Sequence, residues 1–335
     1  MRALLSVAKG GPETLVLSQD AVEPEPAAGE VRIRVHAAAL NFPDLLLIED
    51  KYQERPARPF APGSEVSGVI DALGAGVTGL AVGQRVMAVS SWGGLAEFAC
   101  APATKVSPIP DSMPFEDASA LLVTYGTAWH ALKARASLQV GETLLVLGAS
   151  GGVGLAAVQL GKALGARVIA AASSAQKLTA AREAGADDGV VYPTGELTAD
   201  QQKALSATFK QACGPHGASV VFDPVGGAYC EPAFRAIGWG GRYLVIGFAT
   251  GIPSLPLNLP LLKGASIIGV FWGDSVERDP IGHRKAVAEL VGLYEDGMVR
   301  PNVHSVWPLE KGGEALAFLA SRKATGKLVV NLQGA

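Results

Sequence analysis

The sequence predicts an α/β chain of two domains, a β-rich unit and a doubly wound parallel sheet. Three observations predict it. The first hundred residues read as short strands separated by glycine turns. From near Asp111 the pattern changes to strands alternating with helices. One of those strands runs into a cluster of glycines that opens directly into a helix.

The first strands are expected at residues 2–7, 14–18 and 30–37, where apolar and polar residues alternate. Val31, Ile33 and Val35 fall on one face of the third, and Arg32, Arg34 and His36 on the other. Residues 65–73 and 84–89 are further strands, joined by the turn-rich LGAGVTGLAVG. Residues 118–136 read as one helix. Strands then fall at 143–147, 167–172, 189–192, 219–223 and 241–247, and helices at 152–164, 175–184, 198–212 and 228–237. The tail holds a strand at 266–270, helices at 284–296 and 312–320, and a last strand at 327–332. It extends a nucleotide-type sheet poorly, so it is expected to return to the N-terminal domain. No internal repeat or low-complexity linker is visible.

The chain has 335 residues, 49% hydrophobic and 18% charged, enough for two cored domains and unlike a disordered chain. Its 28 basic and 31 acidic residues leave a net charge of −3, which argues against nucleic-acid binding through bulk electrostatics. Forty-one glycines without a triplet period imply tight turns, not collagen. Cys100, Cys213 and Cys230 are too few and scattered for a disulfide framework. No secretory pattern opens the sequence, because Gly10-Gly11-Pro12 arrives before an apolar run, and a cytoplasmic protein is expected. Residues 143–161 and 243–262 are uncharged and of membrane-spanning length. Glycine and proline punctuate both, so neither reads as a transmembrane helix.

The glycine cluster is Gly148-Ala149-Ser150-Gly151-Gly152-Val153-Gly154, between a buried strand and a helix. Such a loop brings backbone close to a pyrophosphate and aims free N–H groups at it. Ala149 stands where the first glycine of G-x-G-x-x-G is expected, whereas Gly151 and Gly154 fit the second and third places. At the end of the next strand, Ala172-Ser173-Ser174-Ala175-Gln176-Lys177 carries no carboxylate to repel a 2′-phosphate. Two hydroxyls and an ammonium favour NADP(H) over NAD(H). The competing reading makes Lys177 a solvated residue in the first turn of a helix.

With these residues the chain resembles the zinc-free medium-chain dehydrogenase/reductases, most closely the zeta-crystallin-like NADPH:quinone oxidoreductases. GGPETL, Asn41-Phe42-Pro43-Asp44, Gly63-Ser64-Glu65, VGQRV, the glycine loop, Phe222-Asp223-Pro224-Val225-Gly226-Gly227 and ATGKLVV carry the likeness, in order, from residue 10 to residue 330. The resemblance implies a GroES-like catalytic domain formed from both chain ends around a Rossmann domain. The expected divisions are 1–122 (first part of the catalytic domain), 123–264 (NADP-binding) and 265–335 (dimer strand and return). It implies a homodimer paired through residues 263–270; the alternative is an ordinary internal strand.

Zinc members of this family carry a Cys before the first helix and Gly-His-Glu. Here Asn41-Phe42-Pro43-Asp44 has no Cys and Ser64 replaces His, a poor zinc ligand. Cys213-Gly214-Pro215-His216 has ligand spacing without a second pair and reads as a turn. No metal is therefore expected. Without a Lewis acid, hydrogen bonds must polarise the acceptor.

By resemblance, Tyr52, Asn41 and Thr127 sit near the nicotinamide or the acceptor. The Tyr52 phenol would donate to a carbonyl oxygen or supply a proton, although a tyrosine there also anchors surface turns. Asn41 would equally serve as the cap of a helix beginning near Pro43. The resemblance puts Gly151, Gly152 and Val153 at the pyrophosphate, and Ser174, Lys177 and Tyr192 around the 2′-phosphate. It puts Gly247, Phe248 and Ala249 at the nicotinamide end. Phe271 and Trp272, and separately Trp92, are wall candidates, with core packing the equal alternative for each. The expected activity is NADPH-dependent quinone reduction, on a small-molecule acceptor and without nucleic-acid or membrane partners. The alternatives are a 2-enal, enone or enoyl-thioester reductase, and an NADPH-binding structural or regulatory protein.

Overall fold

The computed structural model describes residues 1–333. The chain forms two compact units, one of Met1–Val123, Asp279–Val287 and Arg300–Ala335, the other of Thr124–Arg278 and Ala288–Val299.

In the first unit the chain runs β1 (Ala3–Ser6), β2 (Leu15–Ser18), β3 (Glu30–Ala39), α1 (Phe42–Ile48), β4 (Glu65–Leu73), β5 (Arg85–Val89), β6 (Phe98–Pro102), β7 (Val106–Pro108) and α2 (Phe115–Ser119). Alternation in β3 does what the pattern predicts. Val31, Ile33 and Val35 are fully buried and pack in one core with Val66, Ile70 and Val86.

The helix expected over 118–136 is three pieces: α2, α3 (Leu122–Trp129) and a π-helical turn over His130–Arg135. The Ser119 hydroxyl donates to the Glu116 carbonyl at 3.0 Å. Such back-bonding competes with helix continuation.

The second unit continues β8 (Thr143–Val146), α4 (Gly152–Ala163), β9 (Arg167–Ala172), α5 (Ala175–Glu183), β10 (Asp188–Val191), α6 (Ala199–Cys213), β11 (Ala218–Asp223), α7 (Cys230–Arg235), β12 (Ile237–Val245), α8 (Asn258–Lys263), β13 (Ser266–Gly269) and α9 (Trp272–Arg278). The sheet order is β10-β9-β8-β11-β12-β13, every neighbouring pair parallel. This is the doubly wound order, with a switch point beside β8. β12 starts four residues before the expected 241. Gly238 marks a close approach, since a Cβ there would lie 2.2 Å from the His216 carbonyl oxygen.

After α10 (Pro280–Glu295), the tail forms β14 (Val303–Pro308), α11 (Gly312–Ala320) and β15 (Lys327–Asn331). β15 pairs antiparallel with β3, giving the order β14-β15-β3-β4-β5-β7, with β6 also on β3. The strands of the tail after α10 thus return to the first unit's sheet, whereas the tail strand expected at 266–270 does not: as β13 it extends the nucleotide sheet beside β12. No helix among the described residues is long and apolar enough to cross a membrane.

Candidate active site

The second unit carries the dinucleotide features. Gly148 has φ +57°, and Gly151 caps α4, its N–H donating to the Gly148 carbonyl at 3.0 Å. A Cβ on Gly154 would sit 2.2 Å from that same carbonyl oxygen, so only glycine lets the helix begin this close to the strand. Ala149 breaks the strict glycine pattern without harm. It is buried, with its N–H on the Ala171 carbonyl at 3.0 Å. The first N–H groups of a helix lack intrahelical acceptors, so α4 presents donors at Gly152 and Val153. The loop fits a pyrophosphate.

At the end of β9, Ser174 caps α5: its hydroxyl accepts the Lys177 N–H at 3.3 Å. The Tyr192 N–H donates to the Ala172 carbonyl at 2.9 Å, bringing Ser174, Lys177 and Tyr192 to one strand end. Tyr192 is buried, its ring 4.9 Å from that of Tyr229. Desolvation, then Tyr229, pushes its phenol up to about 12, against a pull from the Gly148 backbone.

Beyond β12, Gly247, Phe248 and Ala249 form a loop tied to the turn after β11. The Gly247 N–H donates to the Asp223 carbonyl at 3.3 Å, Ala249 to Pro224 at 3.3 Å and Thr250 to Val225 at 2.8 Å. The turn itself is held by the Asp223 carboxylate, which accepts the N–H groups of Val225 (2.7 Å) and Gly226 (2.9 Å) and the Tyr243 hydroxyl (2.5 Å). Burial pushes the Asp223 carboxyl up, while these three donors pull it down.

Thr127 lies on α3, which is fastened to α4 by the Tyr125 hydroxyl donating to Gln159 at 2.8 Å. Trp272 packs on the same helix, since a Cβ on Gly126 would lie 2.7 Å from its indole. Phe271, by contrast, is 59% exposed.

The first unit carries a buried polar cluster where α1, β4 and β15 begin. Asn41, Asp44, Glu65 and Lys327 are 7%, 1%, 0% and 4% exposed. The Lys327 ammonium donates to Asn41 Oδ1 (2.6 Å), the Leu40 carbonyl (3.0 Å) and Glu65 Oε2 (3.1 Å). Asn41 Nδ2 donates to Glu65 Oε2 (3.1 Å) and the Ala39 carbonyl (3.3 Å). Both its amide hydrogens are thus engaged within the protein. The Asn41 backbone N–H donates to Asp44 Oδ2 at 2.7 Å, and Glu65 Oε1 accepts the Val123 N–H at 2.8 Å. Burial pushes the Asp44 carboxyl up to about 6, opposed by the Asn41 N–H, Lys327 and Ser64.

Tyr52 is half-buried against Leu47, Ile48 and Phe60. Burial, then the charges of Glu54 and Asp44, raises its pKa, so the phenol stays protonated and able to donate at neutral pH. Trp92 is exposed on the same unit. Sequence reading missed the pairing of Lys327 with Glu65, and of Tyr243 with Asp223. The available signal was a charge opening an apolar strand, in Glu65-Val66 and in Lys327-Leu328-Val329-Val330.

Two family models match the chain: zinc-binding dehydrogenase over residues 152–289, and alcohol dehydrogenase GroES-like domain over 27–111. The chain is 39% identical over 306 residues to quinone oxidoreductase-like protein 2 homolog of Nematostella vectensis, covering 90% of this chain and 81% of that one. Escherichia coli quinone oxidoreductase, solved in complex with NADPH, matches with a TM-score of 0.89 at 26% identity, over 99% of this chain and 100% of the other. A mycobacterial protein complexed with NADPH gives a TM-score of 0.90 at 29% identity, again over 99% and 100%. The chain belongs to the medium-chain dehydrogenase/reductase family of oxidoreductases. Within it, the chain stands with the quinone oxidoreductase-like members.

Zinc does not fit the donors present. Asn41 already accepts an ammonium, Ser64 is a neutral hydroxyl near Asp44, and among the described residues no group of three or more His, Cys, Asp or Glu could hold a metal.

Proposed function

We propose that this chain is a zinc-independent, NADPH-dependent reductase of electrophilic acceptors, with quinones as the preferred class. The observation that carries the reading is the Asn41–Glu65–Lys327 cluster. Positions that zinc relatives use for metal chemistry are here consumed by a buried ammonium and its hydrogen bonds. NADPH, when bound, supplies the hydride. The glycine loop holds its pyrophosphate through Gly151, Gly152 and Val153. The α5 cap, with Ser174 and Lys177, takes the 2′-phosphate beside Tyr192. Gly247, Phe248 and Ala249 line the nicotinamide end, and Thr127, Phe271 and Trp272 border it.

A quinone suits a site with no Lewis acid, because the charge that develops on its oxygen is delocalised. The protonated Tyr52 phenol then stabilises that oxygen and delivers a proton. Asn41 acts by holding its own unit together, since its amide is already engaged there. The experiment that tests the reading is NADPH oxidation by chelator-treated protein with a quinone.

Lys177→Ala weakens NADPH by about 1–3 kcal/mol more than NADH, the loss of a charge-assisted bond. Comparative binding titrations check this, and equal losses for both cofactors would remove Lys177 from the phosphate site. Tyr52→Phe lowers turnover by about tenfold, roughly one lost hydrogen bond to a developing charge, with NADPH affinity nearly unchanged. Unaltered steady-state turnover with every accepted quinone would refute its role.

A homodimer accompanies this reading. β13 is the edge of its sheet and exposes Ile267, beside exposed Leu261 and Leu262 on α8, which supports pairing across a two-fold axis. Sedimentation at micromolar concentration should give twice the chain mass; a monomer would exclude the pairing. Three free cysteines support a reducing, cytoplasmic setting.

A further inference from the structure

We infer that Tyr243 and Asp223 are positioning residues for the nicotinamide half of the cofactor, acting through the 247–249 loop and clamped at the surface by Thr250. The inference rests on the proposed NADPH reading and assigns work to two residues buried beneath the loop.

The chain of contacts is continuous and lies within one unit. Tyr243, on β12, donates its hydroxyl to Asp223 Oδ2 at 2.5 Å, which fixes the rotation of that carboxylate at the end of the neighbouring strand. The other oxygen, Oδ1, accepts from Val225 and Gly226 and so holds the turn after β11. The carbonyls of that turn then carry the next loop: Pro224 accepts from Ala249 and Val225 from Thr250. The Gly227 N–H returns to the Gly251 carbonyl at 2.8 Å, and the Thr250 hydroxyl donates to the Val225 carbonyl at 3.0 Å. Gly226 and Gly227 have positive φ, and a Cβ on Gly227 would lie 2.4 Å from the Thr250 hydroxyl oxygen. The two loops are therefore pressed together with no room to slide.

Asp223 and Tyr243 are 3% and 2% exposed. A buried carboxylate costs free energy unless it is fully hydrogen-bonded, and an apolar pair would hold this core more cheaply. What the pair supplies beyond stability is a fixed direction for two backbone amides. The pair's hydrogen bonds run to the turn after β11, and that turn's run on to the 247–251 loop, so the hydrogen-bonded path leads to the nicotinamide end. Toward the other end Asp223 acts only as a charge felt by Tyr192, and Val225 and Pro224 pack against Gly148.

The test separates the two halves of the cofactor. NADPH and 2′-phospho-ADP-ribose, the same molecule without nicotinamide, are titrated calorimetrically into the wild type, Tyr243→Phe and Thr250→Val. Thr250 is exposed, so its variant keeps the test open if Tyr243→Phe does not fold. The expected result is NADPH affinity about tenfold weaker in Tyr243→Phe and about threefold weaker in Thr250→Val, with the fragment unchanged within about twofold. Asp223→Asn, which keeps an acceptor for both amides and offers Tyr243 a donor, should leave NADPH binding near the wild-type value. Equal weakening of NADPH and fragment, or no weakening of either, overturns the positioning role. Failure of the wild type to bind the fragment at all overturns the cofactor reading instead, so the two failures are distinguishable.

Discussion

Replacing Lys327 with methionine should lower the free energy of unfolding by about 3–5 kcal/mol, the cost of leaving a buried charge without its partner. Glu65 is fully buried and takes the Lys327 ammonium and the Asn41 amide on one oxygen and the Val123 N–H on the other. Methionine fills much the same volume, so the loss reports the charge and its hydrogen bonds, not a cavity. Lys327→Arg should recover part of it, because a guanidinium still serves the carboxylate but does not fit the Leu40 and Asn41 acceptors in the same way. Urea unfolding checks both variants. A Lys327→Met protein within about 0.5 kcal/mol of wild type, the usual range for exposed sites, would mean that the cluster is not a paired charge system.

Gly154→Ala has the second large effect. The new methyl would stand 2.2 Å from the Gly148 carbonyl oxygen and 2.9 Å from the Ala149 Cα. Both obstacles are backbone, which has no rotamer to swing away. Either α4 retreats from β8 or the loop opens, at about 3 kcal/mol, the upper part of the range for overpacking. The loop's donors to the pyrophosphate move with it, so NADPH affinity should fall by about a hundredfold, in proportion to that strain. Gly151→Ala is the control: a Cβ there meets only the Gly148 carbonyl oxygen at 3.5 Å, and Gly151 has φ −76°. Its expected stability loss is below about 1 kcal/mol. Equal NADPH affinities for wild type and Gly154→Ala in a fluorescence titration would contradict the close-packed loop.

The strand, glycine turn and helix of the second unit were legible because their constraints are local. Strand, glycine turn and helix succeed one another within thirty residues, and Ser174 and Lys177 occupy one cap. The return of the tail was legible for a negative reason: 327–332 had no partner in the alternating pattern. The Lys327–Glu65–Asn41 cluster was not legible as a cluster, because its members lie up to 286 residues apart and meet only when β15 closes on β3. Tyr243 and Asp223 are twenty residues apart, on adjacent strands whose pairing register no local pattern gives. Ala149 departs from the glycine motif, and nothing local in the sequence shows that it is buried with its N–H on Ala171. The division of 118–136 into three pieces was not legible, because no local pattern marks the Ser119 back-bond or the π-helical turn at His130–Arg135.

The most direct test of the account is NADPH oxidation by the chelator-treated protein, with a simple quinone and a 2-enoyl thioester offered in parallel. The account predicts quinone-dependent oxidation that chelation leaves unchanged and that outpaces the thioester. Faster turnover of the thioester, or activity that returns only with added zinc, would contradict it.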